Sequence, residues 1–252
     1  MSETIDHSAY LPHTTVAETR SIEGKVMILQ EDAGDYFLYV DGEMLMGGRS
    51  HESEDALGLL GCAPLAGTSG VQVLMGGLGM GFSLRAALDV LPDDAVITVA
   101  ELCDDLIEWN QPGGLLADLA GTPIEDPRTR IASGDVGQMI RDAEPASYDA
   151  ILIDTDNEPR ALSFSGNDSL YDESGLQAAY RALRPGGVLA FWFLEADESF
   201  DRQVGQAGFD VTRHLPPSGE VGNHLVLVAL RQAENSGQTL ISSEQLSPPV
   251  PA

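Results

Sequence analysis

Between residues 71 and 230, short apolar segments typical of strands alternate with longer segments of helical spacing. This alternation constrains the fold most strongly, because it is the pattern of a parallel sheet whose strands are joined by crossover helices. Strands are predicted at 71–75, 95–100, 128–132, 148–153, 188–194, 209–214 and 224–230. Helices are predicted at 83–90, 104–110, 136–143, 170–183 and 199–207. We therefore predict one α/β domain with seven strands over residues 63–231.

The segment before this domain has a different pattern. Apolar runs typical of short antiparallel strands occur at 25–29, 36–40 and 44–46. Asp41-Gly42 lies between the last two runs and is a strong signal for a two-residue hairpin. We predict a small β-hairpin unit with a linking helix over residues 22–62. Residues 1–21 are predicted to be a flexible arm, and residues 232–252, rich in Ser, Gln and Pro, a disordered tail.

The chain carries a formal net charge of −27, and only Lys25 among its 13 basic residues is a lysine. Nucleic-acid binding depends on Lys and Arg side chains that neutralise phosphates, so this charge disfavours a DNA or RNA substrate. A cationic small molecule such as an amine suits the charge better. The alternative is that the acidity only keeps the protein soluble or reflects a salty habitat.

Several classes of protein have no signal in this sequence. No apolar run reaches the length of about 18 residues expected of a membrane-spanning helix, and the first residues lack the pattern of a secretory signal. Cys62 and Cys103 form neither a CxxC motif nor a cluster with histidines, so we expect no metal site and no disulfide framework. We expect a cytoplasmic protein that does not bind membranes.

A glycine-rich loop follows the first strand of the α/β domain and precedes its first helix. Gly76, Gly77, Gly79 and Gly81 allow a sharp turn and close approach of a ligand to the backbone. About 20 residues later, Glu101 ends the next strand, where a carboxylate can accept hydrogen bonds from both ribose hydroxyls. The alternatives are a tight structural turn and a solvated acid. Because both features fall at the carboxyl ends of adjacent strands, the pattern favours a nucleoside pocket.

Two further strand ends carry acids. Asp135, after the third strand, could accept a hydrogen bond from an adenine amino group or could instead cap the following helix. Asp154 and Asp156 follow the fourth strand, with Asn157 beside them. A carboxylate at that position could hold a substrate ammonium or take its proton, so Asp154 and Asp156 are the catalytic candidates and Asn157 a substrate-binding candidate. A solvated turn is the alternative.

The connection from residue 163 to residue 171 is polar and long for a strand-to-helix loop. Such loops often close over substrates, so Asn167, Asp168 and Tyr171 are further substrate-binding candidates. Asp168 could instead cap the next helix.

From residue 73 to residue 193 the sequence resembles the spermidine synthase branch of the class I S-adenosylmethionine-dependent transferases. Gly77–Arg85 is similar to the glycine loop of that family and the Leu-Arg that follows it. Glu101 matches its ribose acid, Gly134-Asp135 its adenine-side pair, and Asp154 the first aspartate of its catalytic motif. Arg184–Gly187 is similar to its turn before the fifth strand.

This resemblance implies a Rossmann-like, seven-stranded class I methyltransferase fold with a small N-terminal β unit. It implies S-adenosylmethionine or decarboxylated S-adenosylmethionine as the donor, a small amine as the acceptor, and a homodimer. Three positions depart from the family pattern: Met80 replaces the glycine-loop aspartate that holds the donor's amine, Cys103 replaces a second acid, and Asn157 replaces the second catalytic aspartate. These departures permit methyl transfer as well as aminopropyl transfer.

The sequence therefore predicts a transferase that alkylates an amine from a sulfonium donor, with Asp154 as base or ammonium anchor and Asp156 supporting it. The first alternative is a non-catalytic regulatory protein of the same fold that binds an adenosyl nucleoside. The second is an NAD(P)-dependent oxidoreductase, although Phe82 interrupts the GxGxxG pattern that such enzymes carry.

Overall fold

A computed structural model describes residues 14–21, 23–155, 165–216 and 224–233. Its strands are β1 (Thr14–Arg20), β2 (Val26–Asp32), β3 (Asp35–Val40), β4 (Glu43–Gly47), β5 (Gln72–Gly76), β6 (Val96–Glu101), β7 (Thr129–Ser133), β8 (Tyr148–Ile153), β9 (Leu183–Phe193), β10 (Phe209–His214) and β11 (Leu225–Arg231). Its helices are α1 (Glu52–Cys62), α2 (Phe82–Val90), α3 (Asp104–Asn110), α4 (Val136–Asp142), α5 (Asp168–Tyr171), α6 (Glu173–Ala182) and α7 (Glu198–Gln206).

The larger sheet has seven strands in the order β10-β11-β9-β8-β5-β6-β7. Six of these strands run in the same direction, and β11 alone in this sheet runs antiparallel to both of its neighbours. The chain enters this sheet at β5, continues through β6 to the edge strand β7, and then returns to pair β8 with the other side of β5. The strand order therefore reverses between β5 and β8, which is where open α/β sheets bind ligands at the carboxyl ends of their strands. The α/β prediction is confirmed.

Both faces of this sheet are covered by helices, so its central strands are apolar on both sides. In β8, Ile151 and Ile153 face the apolar cluster formed with α4, α6 and α7, whereas Ala150 and Leu152 face the cluster formed with α1 and α2. Because β8 packs against apolar clusters on both faces, residues 150–153 form a continuous apolar run rather than the alternation of apolar and polar residues typical of a strand with one buried face.

The N-terminal unit is a four-stranded antiparallel sheet in the order β1-β2-β3-β4. Asp41 and Gly42 have φ values of 50° and 86°, the left-handed conformation that a tight hairpin between β3 and β4 requires. The prediction of a flexible arm up to residue 21 is wrong for Thr14–Arg20, which pair with β2 as β1. These residues are mostly exposed; pairing with β2, rather than an apolar pattern, makes them a strand. Residues 1–13 and 234–252 lie outside the described residues.

Two boundaries in the second half of the sheet differ from the prediction. The helix predicted over 170–183 is divided, because the Asp172 carboxylate accepts a hydrogen bond from the Gly175 N–H at 2.7 Å and begins α6 there. The strand predicted from residue 188 begins earlier, at Leu183, and pairs with β8 through a register irregularity between Tyr148 and Ala150. The turn expected at Arg184–Gly187 is therefore part of a distorted strand.

The contact between α1 and α2 depends on a glycine. A Cβ at Gly58 would lie 2.3 Å from the Ser83 carbonyl oxygen and 2.8 Å from the Ala86 Cβ. We expect Gly58→Ala to lower the free energy of unfolding by about 1–3 kcal/mol, because neither contact can yield without separating the helices. Gly205→Ala in α7 is the control, since a Cβ there meets nothing within 4 Å and alanine favours a helix. Urea denaturation measures both; equal midpoints would contradict the expectation.

Candidate functional site

A cavity lies at the carboxyl ends of β5, β6 and β8, where the strand order reverses. The α/β domain contributes polar groups to it, including Glu101 and Asp154. The N-terminal sheet contributes an apolar wall consisting of Met27, Val40, Leu45 and Met46. The cavity therefore has an acid-bearing floor from one unit and an apolar wall from the other.

The glycine loop divides into two glycines that face the cavity and two that serve packing. Gly77 and Gly79 line the cavity and have φ values of 89° and 51°. A Cβ at Gly77 would lie 2.2 Å from the Asp154 carbonyl oxygen, so the loop and the end of β8 are in direct backbone contact. Gly76 instead packs against Val136, and Gly81, with φ of 88°, packs near Pro123.

Glu101 ends β6 and is buried, with a relative exposure of 9%. Its Oε2 accepts a hydrogen bond from the Leu78 N–H and its Oε1 one from the Cys103 N–H, both at 2.9 Å. Burial raises the pKa of this carboxyl, and the hydrogen bonds from the backbone oppose the rise. Leu102 adds a third hydrogen bond from the backbone, and a carboxylate offers about four lone pairs, so the group can still accept a hydrogen bond from a ligand in the cavity.

Asp154 directly follows β8 and shares the cavity with Glu101. The Ser83 hydroxyl, in the first turn of α2, donates a hydrogen bond of 2.6 Å to its Oδ2. Burial raises the pKa of Asp154 to about 6, and the hydrogen bond from Ser83 opposes the rise. A carboxyl of this kind can exchange a proton near neutral pH. The other two residues predicted in this cluster, Asp156 and Asn157, lie outside the described residues.

Asp135 has the structural role that the sequence left open. Its Oδ1 accepts a hydrogen bond from the Gly137 N–H at 2.7 Å, so it caps α4. Its Oδ2 lies 3.4 Å from a guanidinium nitrogen of Arg141. The neighbours Gly134 and Val136 line the cavity. Contact between Asp135 and an adenine stays a prediction.

The three residues predicted in the following connection occupy different surroundings. Asn167 is buried, with a relative exposure of 3%, and lines the cavity. Tyr171 packs among Phe191, Phe193 and Phe200, and its hydroxyl lies 3.3 Å from the hydroxyl of Thr155, which lines the cavity. Asp168 is exposed in the first turn of α5 and is not among the residues that line the cavity.

Glu54, on α1, is a cavity-lining acid that sequence reasoning missed. It is buried, with a relative exposure of 6%, and accepts a hydrogen bond of 2.6 Å from the Ser53 hydroxyl. Burial, together with the negative charge of Asp154, raises the pKa of Glu54 to about 7. A signal was available: Glu54 precedes Leu57, Gly58 and Gly61 at helical spacing, and all four are buried on one face. Its place in an acidic run made it resemble a solvated residue.

Met80, the departure in the glycine loop, is not among the residues that line the cavity. It is fully buried and packs in an apolar cluster with Leu29, Leu38 and Leu106, between the N-terminal sheet and α3. Met80 therefore packs between the two units. The apolar wall of the cavity is formed by residues of the N-terminal sheet and not by Met80.

The raised pKa of Glu54 gives a stability prediction. A carboxyl whose pKa rises on folding from about 4.5 to about 7 binds more protons in the folded state over that pH interval, so stability falls as pH increases through it. We expect Glu54→Gln, which has no charge to bury, to be more stable than the wild type at pH 8 by up to about 3 kcal/mol and to lose this advantage at pH 4.5. Thermal denaturation at both pH values measures the difference; an equal difference at the two pH values would contradict the assignment.

Two observations concern metal and membrane binding. Within residues 14–21, 23–155, 165–216 and 224–233, no group of three His, Cys, Asp or Glu side chains could hold a metal ion. Over the same part of the chain, no helix combines the length and apolar character needed to cross a membrane.

The sequence is similar to curated proteins that transfer groups to amines. It is 27% identical over 215 residues to polyamine aminopropyltransferase 2 of Pseudomonas aeruginosa, covering 80% of this chain and 55% of that protein. It is 30% identical over 118 residues to putrescine N-methyltransferase 1 of Nicotiana tabacum, covering 47% of this chain and 29% of that protein. The chain thus spans about half the length of the first relative and less of the second. No family model matches the sequence.

Solved structures show the same architecture. A spermidine synthase in complex with the transition state analogue AdoDATO has a TM-score of 0.68 and 18% identity, over 88% of this chain and 75% of that one. The spermidine synthase of Thermotoga maritima has a TM-score of 0.65 and 19% identity, over 88% of this chain and 73% of that one. With the strand order and the N-terminal antiparallel sheet, these likenesses show that the chain has the spermidine synthase fold, a Rossmann-like methyltransferase domain preceded by a small β unit.

Proposed function

We propose that this protein is an amine alkyltransferase that binds S-adenosylmethionine or its decarboxylated form in the cavity between β5, β6 and β8. One observation carries the proposal: Glu101 and Asp154 line the same cavity, on either side of the glycine loop. This shared lining supports a site in which one acid holds the ribose hydroxyls and the other holds an ammonium.

The chemistry requires mainly alignment, because a sulfonium donor is already activated. The amine nitrogen attacks a carbon bonded to the sulfonium sulfur; a C–N bond forms, the C–S bond breaks, and its electron pair remains on sulfur. The glycine loop and Glu101 would hold the adenosine part of the donor. Asp154 would hold the acceptor ammonium in line with the reacting carbon, where positioning alone lowers the barrier substantially. Asp156 and Asn157 are proposed to support the acceptor.

The acceptor is proposed to be a small amine. The names of the relatives include a polyamine aminopropyltransferase and a putrescine N-methyltransferase, which supports both aminopropyl and methyl transfer. The net charge of −27 also favours a cationic acceptor. Asp135 is proposed at the adenine end, and Asn167, Asp168 and Tyr171 near the acceptor. A cytoplasmic homodimer that binds neither nucleic acid nor membranes completes the proposal, and analytical ultracentrifugation tests the assembly.

The test combines binding and turnover. Thermal unfolding is measured with S-adenosylmethionine, its decarboxylated form, methylthioadenosine and NAD, because a ligand that binds the folded state raises its stability. Mass spectrometry then follows putrescine and spermidine with each sulfonium donor. We expect stabilisation by the adenosyl ligands but not by NAD, and a mass increase of the acceptor with one donor. Stabilisation without any transfer would instead favour a non-catalytic nucleoside-binding protein.

A further inference from the structure

A series of hydrogen bonds between side chains connects the cavity-lining Glu54 with Ser53 and His224. The Ser53 hydroxyl lies 2.6 Å from Glu54 Oε2 and 2.7 Å from Nδ1 of His224. Ser53 is buried, with a relative exposure of 1%, whereas His224, just before β11, is only partly buried. The imidazole lies edge-on to the cavity-lining Trp192, with ring centroids 5.0 Å apart. A carboxylate, a hydroxyl and an imidazole are thus joined from the cavity to a less buried position.

The proposed reaction produces a proton that has to leave the cavity. An acceptor amine arrives as an ammonium ion, which has no lone pair for attack. It loses one proton, attacks the donor carbon, and leaves as a secondary ammonium ion that keeps its remaining protons. One proton is therefore released for each C–N bond formed, and a buried site needs a group that accepts it and a route by which it departs.

We propose that Glu54 accepts this proton and passes it through Ser53 to His224, whose other ring nitrogen releases a proton to solvent, an assignment that rests on the proposed transferase function. While Glu54 is ionised, the Ser53 hydroxyl donates to it. Once Glu54 is protonated, its O–H donates to Ser53 Oγ, and the Ser53 hydroxyl donates to Nδ1 of the neutral imidazole. A neutral imidazole has one free nitrogen, and a hydroxyl both donates and accepts, so each member can take both roles. Asp154 then serves as the ammonium anchor.

The surroundings favour Glu54 over Asp154 for this step. Asp154 at the end of β8 and Asp55 on α1 place negative charge near Glu54, and these charges add to burial in raising the pKa of Glu54 to about 7. On the neighbouring α2, Arg85 is paired with Asp89 at 2.9 Å; β9 presents the uncharged Trp192 to this region, and β11 is preceded by His224. The pKa of Asp154 rises only to about 6. The negative charge of Asp154 therefore favours the protonated form of Glu54.

The test uses Glu54→Gln and Ser53→Ala, with Glu52→Gln as the matched control because Glu52 is an exposed acid in the same turn of α1. At saturating donor and acceptor, we expect kcat of the wild type to rise with pH through about 7, the pKa of Glu54. Glu54→Gln should lower kcat by about 100-fold, the lower end for loss of a general base, and abolish this rise. Ser53→Ala should lower kcat with little change in KM, and Glu52→Gln should match the wild type.

The outcomes separate this proposal from the function on which it rests. Absence of transfer by the wild type overturns the proposed function and the proton route with it. Transfer by the wild type together with an unchanged pH profile in Glu54→Gln overturns the proton route alone. Methylthioadenosine stabilisation and thermal unfolding at pH 8 are measured on the same samples. A slower Glu54→Gln variant that is at least as stable as the wild type and still binds the nucleoside supports a role in catalysis rather than in folding.

Discussion

Asp154→Asn is expected to reduce transfer by at least about 100-fold while leaving adenosyl-nucleoside binding intact. Asparagine retains the shape of the side chain and can still accept the hydrogen bond from Ser83, which is 2.6 Å long in the wild type. It removes the negative charge that would hold the acceptor ammonium, and a misaligned acceptor reacts far more slowly. Initial rates measured by mass spectrometry, with methylthioadenosine thermal shifts on the same samples, give both quantities.

The control for this substitution is Asp118→Asn, which removes the same charge from an exposed position. We expect it to transfer at the wild-type rate, because it changes the net charge by the same amount without altering the cavity. If Asp154→Asn also transferred at that rate, Asp154 would not be the acceptor anchor. If it lost nucleoside binding as well, its role would lie in shaping the loop contact with Gly77 instead.

The α/β sheet could be predicted because its central strands are apolar runs flanked by turn or capping residues, and they alternate with segments of helical spacing. Strands β8 and β10 begin and end where the pattern places them. Strand β1 could not be predicted from the sequence, because Thr14–Arg20 is an exposed segment whose structure depends on hydrogen bonds to β2. The division between α5 and α6 depends on one side chain, the cap formed by Asp172, and helical spacing continues across it.

The part of the site that lies at the strand ends of the sheet could be predicted from the sequence. Glu101 and Asp154 are at the ends of strands that both neighbour β5, so topology alone brings them to one crevice. Glu54 comes from α1, before the sheet begins, and its position depends on how that helix packs on α2, β8 and β9. The apolar wall likewise depends on how the N-terminal sheet docks on the α/β domain. Helical spacing places Glu54 on the buried face of α1, but no spacing rule says where that face packs or how the N-terminal sheet docks.

Asp154 and Glu54 have different surroundings, and these suit them to different proposed roles in the site. Asp154 and Glu54 line the same cavity, and the negative charge of Asp154 helps raise the pKa of Glu54. A carboxylate that stays charged suits an ammonium anchor, and a neighbouring carboxyl whose protonated form is favoured by that charge suits the acid that takes up a proton. The apolar wall carries no polar groups that would screen charge, which strengthens the attraction between Asp154 and an ammonium held in the cavity.

The second large effect is expected for Gly77→Ala, at the contact between the glycine loop and β8. Gly77 has φ of 89°, and a Cβ there would lie 2.2 Å from the Asp154 carbonyl oxygen. A side chain therefore meets both an unfavourable backbone conformation and a backbone atom that cannot move without displacing Asp154. We expect the free energy of unfolding to fall by at least about 2 kcal/mol and methylthioadenosine to lose its stabilising effect, as measured by thermal unfolding with and without the nucleoside.

Gly67→Ala is the matched control, because Gly67 lies in a loop where a Cβ would meet nothing within 4 Å. It should unfold at the wild-type temperature or slightly above it, since alanine restricts the unfolded chain, and it should bind methylthioadenosine normally. A Gly77→Ala variant that kept nucleoside binding would place the adenosyl part of the donor away from the glycine loop. Loss of binding in Gly77→Ala alone would instead support the loop as the point where donor and acceptor sites meet, because Gly77 would then contact the nucleoside while its backbone lies against that of Asp154.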